Sequence, residues 1–183
     1  MTELKQKYNK EVLPNLKESL DLENKMEVPK ISKVIVNVGF GNKKDNNEYV
    51  NKVEETLRAI TGQDPVYNEA KQSISNFDIR KGDKIGASVT LRGNDMYNFL
   101  YKLIHLTLPR TKDFKGLDPD SFDESGNYSI GIGESTAFPE SNFEDMDLVH
   151  GLQIAVNTTA DNKKEGYELL KKLGFPFKDK ENN

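Results

Sequence analysis

Cysteine and tryptophan are absent from the 183-residue sequence, and histidine occurs only at His105 and His150. The missing thiols exclude a disulfide framework, a zinc ribbon and a cysteine nucleophile. Neither histidine sits in a metal-ligand spacing such as HExxH, so a transition-metal site would rest on carboxylates alone. No GxSxG elbow is present. No apolar run approaches the roughly 18 residues that a spanning helix needs, and the opening MTELKQKYNKEV lacks the apolar centre of a secretory leader. The expectation is a soluble, intracellular chain with no membrane partner, in which nothing asks for a metal, a cofactor, catalytic residues or a small-molecule substrate.

Charge is what the chain has in quantity. Charged residues make up 31% of it against 35% hydrophobic, and the net charge is −4. The average conceals an asymmetry: residues 1–70 carry −1, residues 71–116 carry +5 and residues 117–183 carry −8. A basic middle beside an acidic C-terminal third can present one surface to a polyanion and hold another away from it. The basic stretch interleaves Lys71, Arg80, Lys81, Lys84 and Arg92 with Gln72, Ser73, Ser75, Asn76 and Thr90, a mixture suited to phosphate and ribose contacts on structured RNA.

Periodicity places the elements. Leu4, Tyr8, Val12, Leu16 and Leu20 are spaced by four, which predicts a helix kinked or shortened at Pro14. Ile31 to Val38 is β-branched and bounded by Gly39, a strand. Asn46 and Asn47 can cap a helix carrying Val53, Leu57 and Ile60 and ending at Gly62. Pro65 to Tyr67 and Ile85 to Leu91 read as strands. The polar stretch of 13 residues from Gln72 to Lys84 between them is long for a hairpin loop, and loops of that length are usually functional or disordered. Asn94 can cap a helix broken before Pro109. Tyr128 to Ile132 and Leu152 to Thr158 alternate as strands, and Glu165 to Leu173 reads as a last helix before Gly174. Regular βαβ alternation is missing. The fold class expected is therefore α+β, a mainly antiparallel β-sheet with helices packed on one face and the other face open for RNA.

Three local patterns invite chemistry and are better read without it. Gly39-Phe40-Gly41 before Lys43 lacks the third glycine of a dinucleotide loop and the GK[ST] of a P-loop, so it reads as a strand-to-helix turn. Asp118, Asp120, Asp123 and Glu124 lack the glycine and terminal glutamate of a calcium loop and read as a solvated acidic loop. His105, in an apolar helix, reads as a packing residue.

ITGQ from Ile60 to Gln63, AKQS from Ala70 to Ser73 and VTLRG from Val89 to Gly93 closely resemble the bacterial large-subunit ribosomal protein family called L five, which binds 5S rRNA. The resemblance extends through Met96-Tyr97, Leu108-Pro109-Arg110, Ser121-Phe122-Asp123, GNYS from Gly126 to Ser129, Phe138-Pro139-Glu140 and LGFPF from Leu173 to Phe177. VTLRG and SFD..GNYS at these separations carry it most specifically. It implies a non-enzymatic, cytoplasmic constituent of the large subunit, a single domain over 1–183. Within that domain it implies an N-terminal helical segment (1–27), an N-terminal half (28–84), a C-terminal half (85–177) and a tail (178–183).

The resemblance also implies partners and positions. Asn37, Gln63, Lys71, Thr90 and Arg92 match places where the family meets rRNA. Ser73, Asn76, Arg80 and Lys84 fall on the loop that reaches the P-site tRNA. The remaining partners implied are 23S rRNA, neighbouring large-subunit proteins and the small-subunit head protein numbered thirteen, the last met near Asp113 and the acidic region from Glu140 to Asp147. The chain departs from the family pattern in being acidic overall, in Asn76 and Asp78 for the usual Gly and Lys, and in Glu124-Ser125 for Gly-Arg. The alternative function is an acidic protein–protein adaptor built on the same fold. A small enzyme using the Gly39–Lys43 loop on a phosphorylated substrate is a third.

Overall fold

In chain order the elements are α1 (Glu3–Lys7), α2 (Leu13–Ser19), β1 (Ile31–Gly39), α3 (Asn47–Thr61), β2 (Val66–Glu69), β3 (Lys84–Leu91), α4 (Gly93–Lys102), α5 (Leu108–Arg110), β4 (Tyr128–Ile132), β5 (Leu152–Thr158) and α6 (Lys163–Leu173). This computed structural model describes residues 2–112, 114–141 and 146–178.

Two prolines sit inside helical paths without ending them. Proline lacks an N–H, and its ring meets the carbonyl four residues back. Ahead of Pro14 the chain makes a π turn, Tyr8–Val12, in which the Leu13 N–H donates to Tyr8 O five residues back, joining α1 to α2. The spacing predicts a break before Pro109, yet the helix continues through a second π turn, Leu103–Thr107, where the Leu108 N–H donates to Leu103 O. One extra residue per turn shifts the carbonyl ladder, so the proline ring is accommodated and the helix runs on.

The strands form one sheet in the order β2-β3-β1-β5-β4, antiparallel, with helices packed against it, as an α+β fold requires. β2 and β3 pair with Val66 opposite Ser88, Tyr67 opposite Ala87 and Asn68 opposite Gly86, before a register shift at Glu69. Alternation sorts the residues of β1 and β3: Val34, Val36, Val38, Ala87, Val89 and Leu91 are buried. Their neighbours, Asn37, Ser88 and Thr90 among them, point the other way.

The chain divides into two compact units. The first comprises Met1–Val34, Arg92–Ile130 and Ala155–Asn183. Its N-terminal stripe is buried at Leu4, Tyr8, Val12 and Leu16, and the Tyr8 hydroxyl donates to Pro29 O at 3.1 Å. An aromatic cluster of Phe122, Tyr128, Tyr167 and Phe177 fills another part, with ring centroids 4.5 to 6.1 Å apart. The GNYS motif is explained here. Asp123 accepts from the Ser125 and Asn127 N–H groups, Asn127 Oδ1 accepts from Thr158 N at 3.0 Å, and Gly126 takes φ +71°. A Cβ on Gly166 of α6 would lie 2.3 Å from Gly126 O, so two glycines let turn and helix touch.

Two expectations shift in this unit. The residue at the N-cap of α4 is Arg92 rather than Asn94, whose Oδ1 instead accepts from Lys5 Nζ at 2.9 Å. His105 is exposed and packs on the surface, its ring 4.5 Å from that of Tyr101. It lies within the π turn, on the face away from the buried Leu103, Ile104 and Thr107.

The second unit comprises Ile35–Leu91 and Gly131–Ile154. Asn46 caps α3 by accepting from Tyr49 N at 3.1 Å, and Gly62 ends it in the left-handed conformation, φ +74°. Val53, Leu57 and Ile60 are buried along one face of α3, each contributing roughly 1.5–3 kcal/mol. The Tyr67 hydroxyl donates to Glu54 of α3 and its ring meets Phe40 edge-on, so α3 covers the buried side of β2 and β3. Gly41–Lys43 is a 3₁₀ turn with Lys43 Nζ 4.3 Å from the Tyr49 ring centre, an ordinary strand-to-helix connection. His150 is buried edge-on to Tyr49, and burial holds its imidazole pKa below the usual value.

Candidate nucleic-acid interface

The side of β1, β2 and β3 turned away from α3 is polar and, among the described residues, carries no carboxylate. In the second unit its positions are Ile35, Asn37 and Gly39 on β1, Val66 and Asn68 on β2, and Gly86, Ser88 and Thr90 on β3. After the register shift Glu69 pairs with Lys84, and both fall on the α3 side with Tyr67, over whose ring Lys84 Nζ lies. Asn37 Oδ1 accepts from Asn68 Nδ2 at 3.1 Å, and Asn68 Oδ1 accepts from Ser88 Oγ at 3.3 Å. Amides and hydroxyls held this way suit phosphate and ribose oxygens.

The predicted rRNA residues take different positions. Asn37 lies half-buried at the centre of this face and Thr90 is exposed further along β3. Gln63 sits in the turn after α3, where the Thr61 hydroxyl donates to Leu57 O at 2.6 Å and accepts from Gln63 N at 3.3 Å, fixing the backbone below its carboxamide. Lys71 is exposed at the foot of the loop. Arg92 belongs to the other unit and is exposed directly after β3, followed by Gly93 at φ +60°. That left-handed step explains the glycine of VTLRG.

The long polar stretch is a structured extension of the β2–β3 hairpin. Ala70 N donates to Asp83 O and Gly82 N to Ala70 O, both at 2.9 Å, and an antiparallel bridge joins Ile74 to Ile79. At the tip Ser75–Phe77 makes a 3₁₀ turn, Asp78 takes φ +50°, and Ile74 and Phe77 are 47% and 62% exposed. Asp83 Oδ2 accepts from Lys44 Nζ at 2.6 Å and from Arg80 N at 2.9 Å. The Lys44 hydrogen bond, followed by that from the Arg80 backbone, lowers the Asp83 pKa, and the same pair raises that of Lys44.

All four loop residues expected to meet tRNA, Ser73, Asn76, Arg80 and Lys84, are exposed. Ser73 Oγ accepts from Lys81 N at 3.0 Å. Lys84 stands at the start of β3 with Nζ 3.9 Å from the Tyr67 ring centre, a cation–π contact that holds it at the loop's base. Of the acidic positions, Glu140 and Asp147 are exposed, and Lys43 Nζ donates to Asp147 O at 3.2 Å. Asp113 and residues 142–145 lie outside the described residues. Among the described residues no group of three or more His, Asp or Glu could hold a metal ion, and no helix is long and apolar enough to cross a membrane.

Sequence reasoning missed Asn68 and Ser88. The signal was available in the alternation of β2, had the strand been extended past Tyr67 to place Asn68 opposite Gly86.

Comparison with known proteins matches residues 24–80 to the family described as Ribosomal protein L5 and residues 84–177 to the C-terminus of the same ribosomal family. The chain belongs to the ribosomal L5 family. The large ribosomal subunit protein uL5 of Halothermothrix orenii is 49% identical over 177 residues, covering 97% of this chain and 99% of that protein. The protein of the same name from Natranaerobius thermophilus is 48% identical over 177 residues, with the same coverage. That of Thermotoga maritima is 46% identical over 175 residues, covering 96% of this chain and 95% of its own.

Proposed function

We propose that this chain is a structural, non-enzymatic constituent of the large ribosomal subunit that binds 5S rRNA in the central protuberance. The observation that carries this reading is the carboxylate-free outward face of β1, β2 and β3, with Asn37 at its centre and Thr90 along it, in a chain of 30 acidic residues. Gln63, Lys71 and Arg92 complete the rRNA contacts, the two cations positioning the phosphate backbone and the amides meeting sugar edges. The structured hairpin tip, with Ser73, Asn76, Arg80 and Lys84, contacts P-site tRNA. Glu140, Asp147 and their acidic surroundings bridge to the small-subunit head protein numbered thirteen, while 23S rRNA and neighbouring large-subunit proteins enclose the rest.

Purified protein is expected to prefer 5S rRNA over an unrelated RNA of equal length at moderate salt, with log affinity falling by about 0.7–0.9 per phosphate neutralised. Equal affinity for the two RNAs sinks the reading. The adaptor alternative draws on the −8 charge of residues 117–183. Several of those carboxylates are engaged locally: Asp118 accepts from Asp120 N, Asp120 pairs with Lys163 at 3.3 Å, and Asp123 holds its own turn. Co-sedimentation with large subunits separates the readings, since an adaptor stays in the supernatant.

A further inference from the structure

Asn68 and Ser88 form with Asn37 a chain of side-chain hydrogen bonds across three strands. Asn68 is on β2 and Asn37 on β1, with β3 between them. Their backbones are therefore two strand spacings apart, about 9.5 Å. A side chain on one strand does not ordinarily reach a side chain two strands away, because the residue between them stands in the path. Here the residue opposite Asn68 is Gly86, which has no side chain. A Cβ at Gly86 would lie 2.9 Å from Val38 O and 3.7 Å from Asn68 Nδ2. The Asn68 carboxamide passes over that gap and donates to Asn37 Oδ1. Ser88, two residues along β3, donates to Asn68 Oδ1 and turns the Asn68 NH2 toward β1.

We infer that Asn68 is a positioning residue for RNA recognition, polarising Asn37 so that its NH2 group faces outward and the face reads a hydrogen-bond acceptor on the RNA. The inference rests on the 5S rRNA reading above. The direction of the chain is what matters. Ser88 donates to Asn68 and Asn68 donates to Asn37, which fixes the Asn37 carboxamide with its oxygen toward Asn68 and its NH2 as the end left to offer. An unrestrained asparagine would present oxygen or nitrogen with equal ease and would lose rotamer entropy on binding. Held by Asn68, it presents the group that suits a polyanion.

The test measures 5S rRNA affinity of the full chain at one fixed salt concentration for wild type, Asn37→Ala, Asn68→Ala, the double variant and Ser88→Ala. Asn68→Ala is expected to weaken binding about fivefold, the scale of one neutral hydrogen bond. Its unfolding midpoint and salt slope stay at wild-type values, because the residue is neutral and lies on an edge strand. The double variant binds like Asn37→Ala alone, since Asn68 acts only through Asn37. Ser88→Ala gives a smaller loss in the same direction.

Wild-type affinity in Asn68→Ala, beside weakened binding in Asn37→Ala, overturns the positioning role and leaves the 5S reading standing. Losses that multiply in the double variant overturn it equally, because they give Asn68 an independent contact. Wild-type affinity in Asn37→Ala removes the group being positioned and ends the proposal. Absence of any 5S preference in the wild-type protein brings down the 5S reading and the relay's role together.

Discussion

The outward face of β1, β2 and β3 and the hairpin tip beyond β2 lie in one unit, and they are built on opposite terms. The face is neutral at its centre, its polar atoms are paired with one another, and its side chains are short. The tip is exposed, mixes Arg80 and Lys81 with the bare apolar side chains of Ile74 and Phe77, and is held mainly by backbone hydrogen bonds and the Lys44–Asp83 pair at its base. A preorganised neutral face gives geometric selectivity, because its groups are already ordered when RNA arrives. A charged, protruding tip gives reach and tolerance, because long side chains find phosphates in many arrangements.

The sharpest way to break that contrast is Gly86→Ala. The added Cβ meets the Val38 carbonyl and closes the gap under Asn68. Stability is expected to fall by about 1–3 kcal/mol in denaturant unfolding, with 5S affinity reduced more than tenfold. Unchanged affinity would mean the face tolerates rearrangement and is not preorganised.

Arg92→Ala comes next. It should cost roughly 1–3 kcal/mol of 5S affinity if the guanidinium makes a desolvated phosphate contact, measured by filter binding at fixed salt. The charged and neutral contributions then separate by salt. Lys71→Ala should make the slope of log affinity against log salt shallower by about 0.7–0.9, whereas Thr90→Ala should lower affinity and leave the slope alone. A shallower slope for Thr90→Ala would erase the distinction.

Smaller effects belong to the tip. Phe77→Ser removes an exposed ring and should shift stability by less than about 0.5 kcal/mol, with 5S affinity unchanged and crosslinking to P-site tRNA diminished. The least effect is the pH response of the loop base. The Asp83 pKa is lowered in the folded chain, so its contribution is present above the unfolded carboxylate range and is lost as pH falls through the folded value. The Arg80 amide proton, bonded to Asp83 Oδ2, should titrate by NMR with a midpoint below that of an ordinary aspartate, and Asp83→Asn should abolish that titration.

Much of this frame is legible in local sequence. β-branched runs and alternation locate β1, β3, β4 and β5, and Asn46 and Gly62 bracket α3, because strand faces and helix caps are decided within a few residues. The helix through Pro109 is not legible, since the π turn that accommodates it leaves no composition signal. The polar relay is hidden for a different reason. Asn68, Gly86, Ser88 and Asn37 lie on three strands, and what joins them is register and the absence of one side chain. Asn37 and Thr90 entered through family resemblance; the partner that orients Asn37 emerged only from the folded sheet.

The absence of carboxylates on the outward strand positions also bears on how RNA finds the protein. Glu48, Glu54, Glu55 and Asp64 all lie on α3 or just beyond it and outnumber Lys52 and Arg58, which pair with the last three. Within a Debye length of about 8–10 Å, that residual negative charge disfavours a polyanion approaching α3 relative to one meeting the strands. Orientation is thus filtered during the diffusional search, before any hydrogen bond forms.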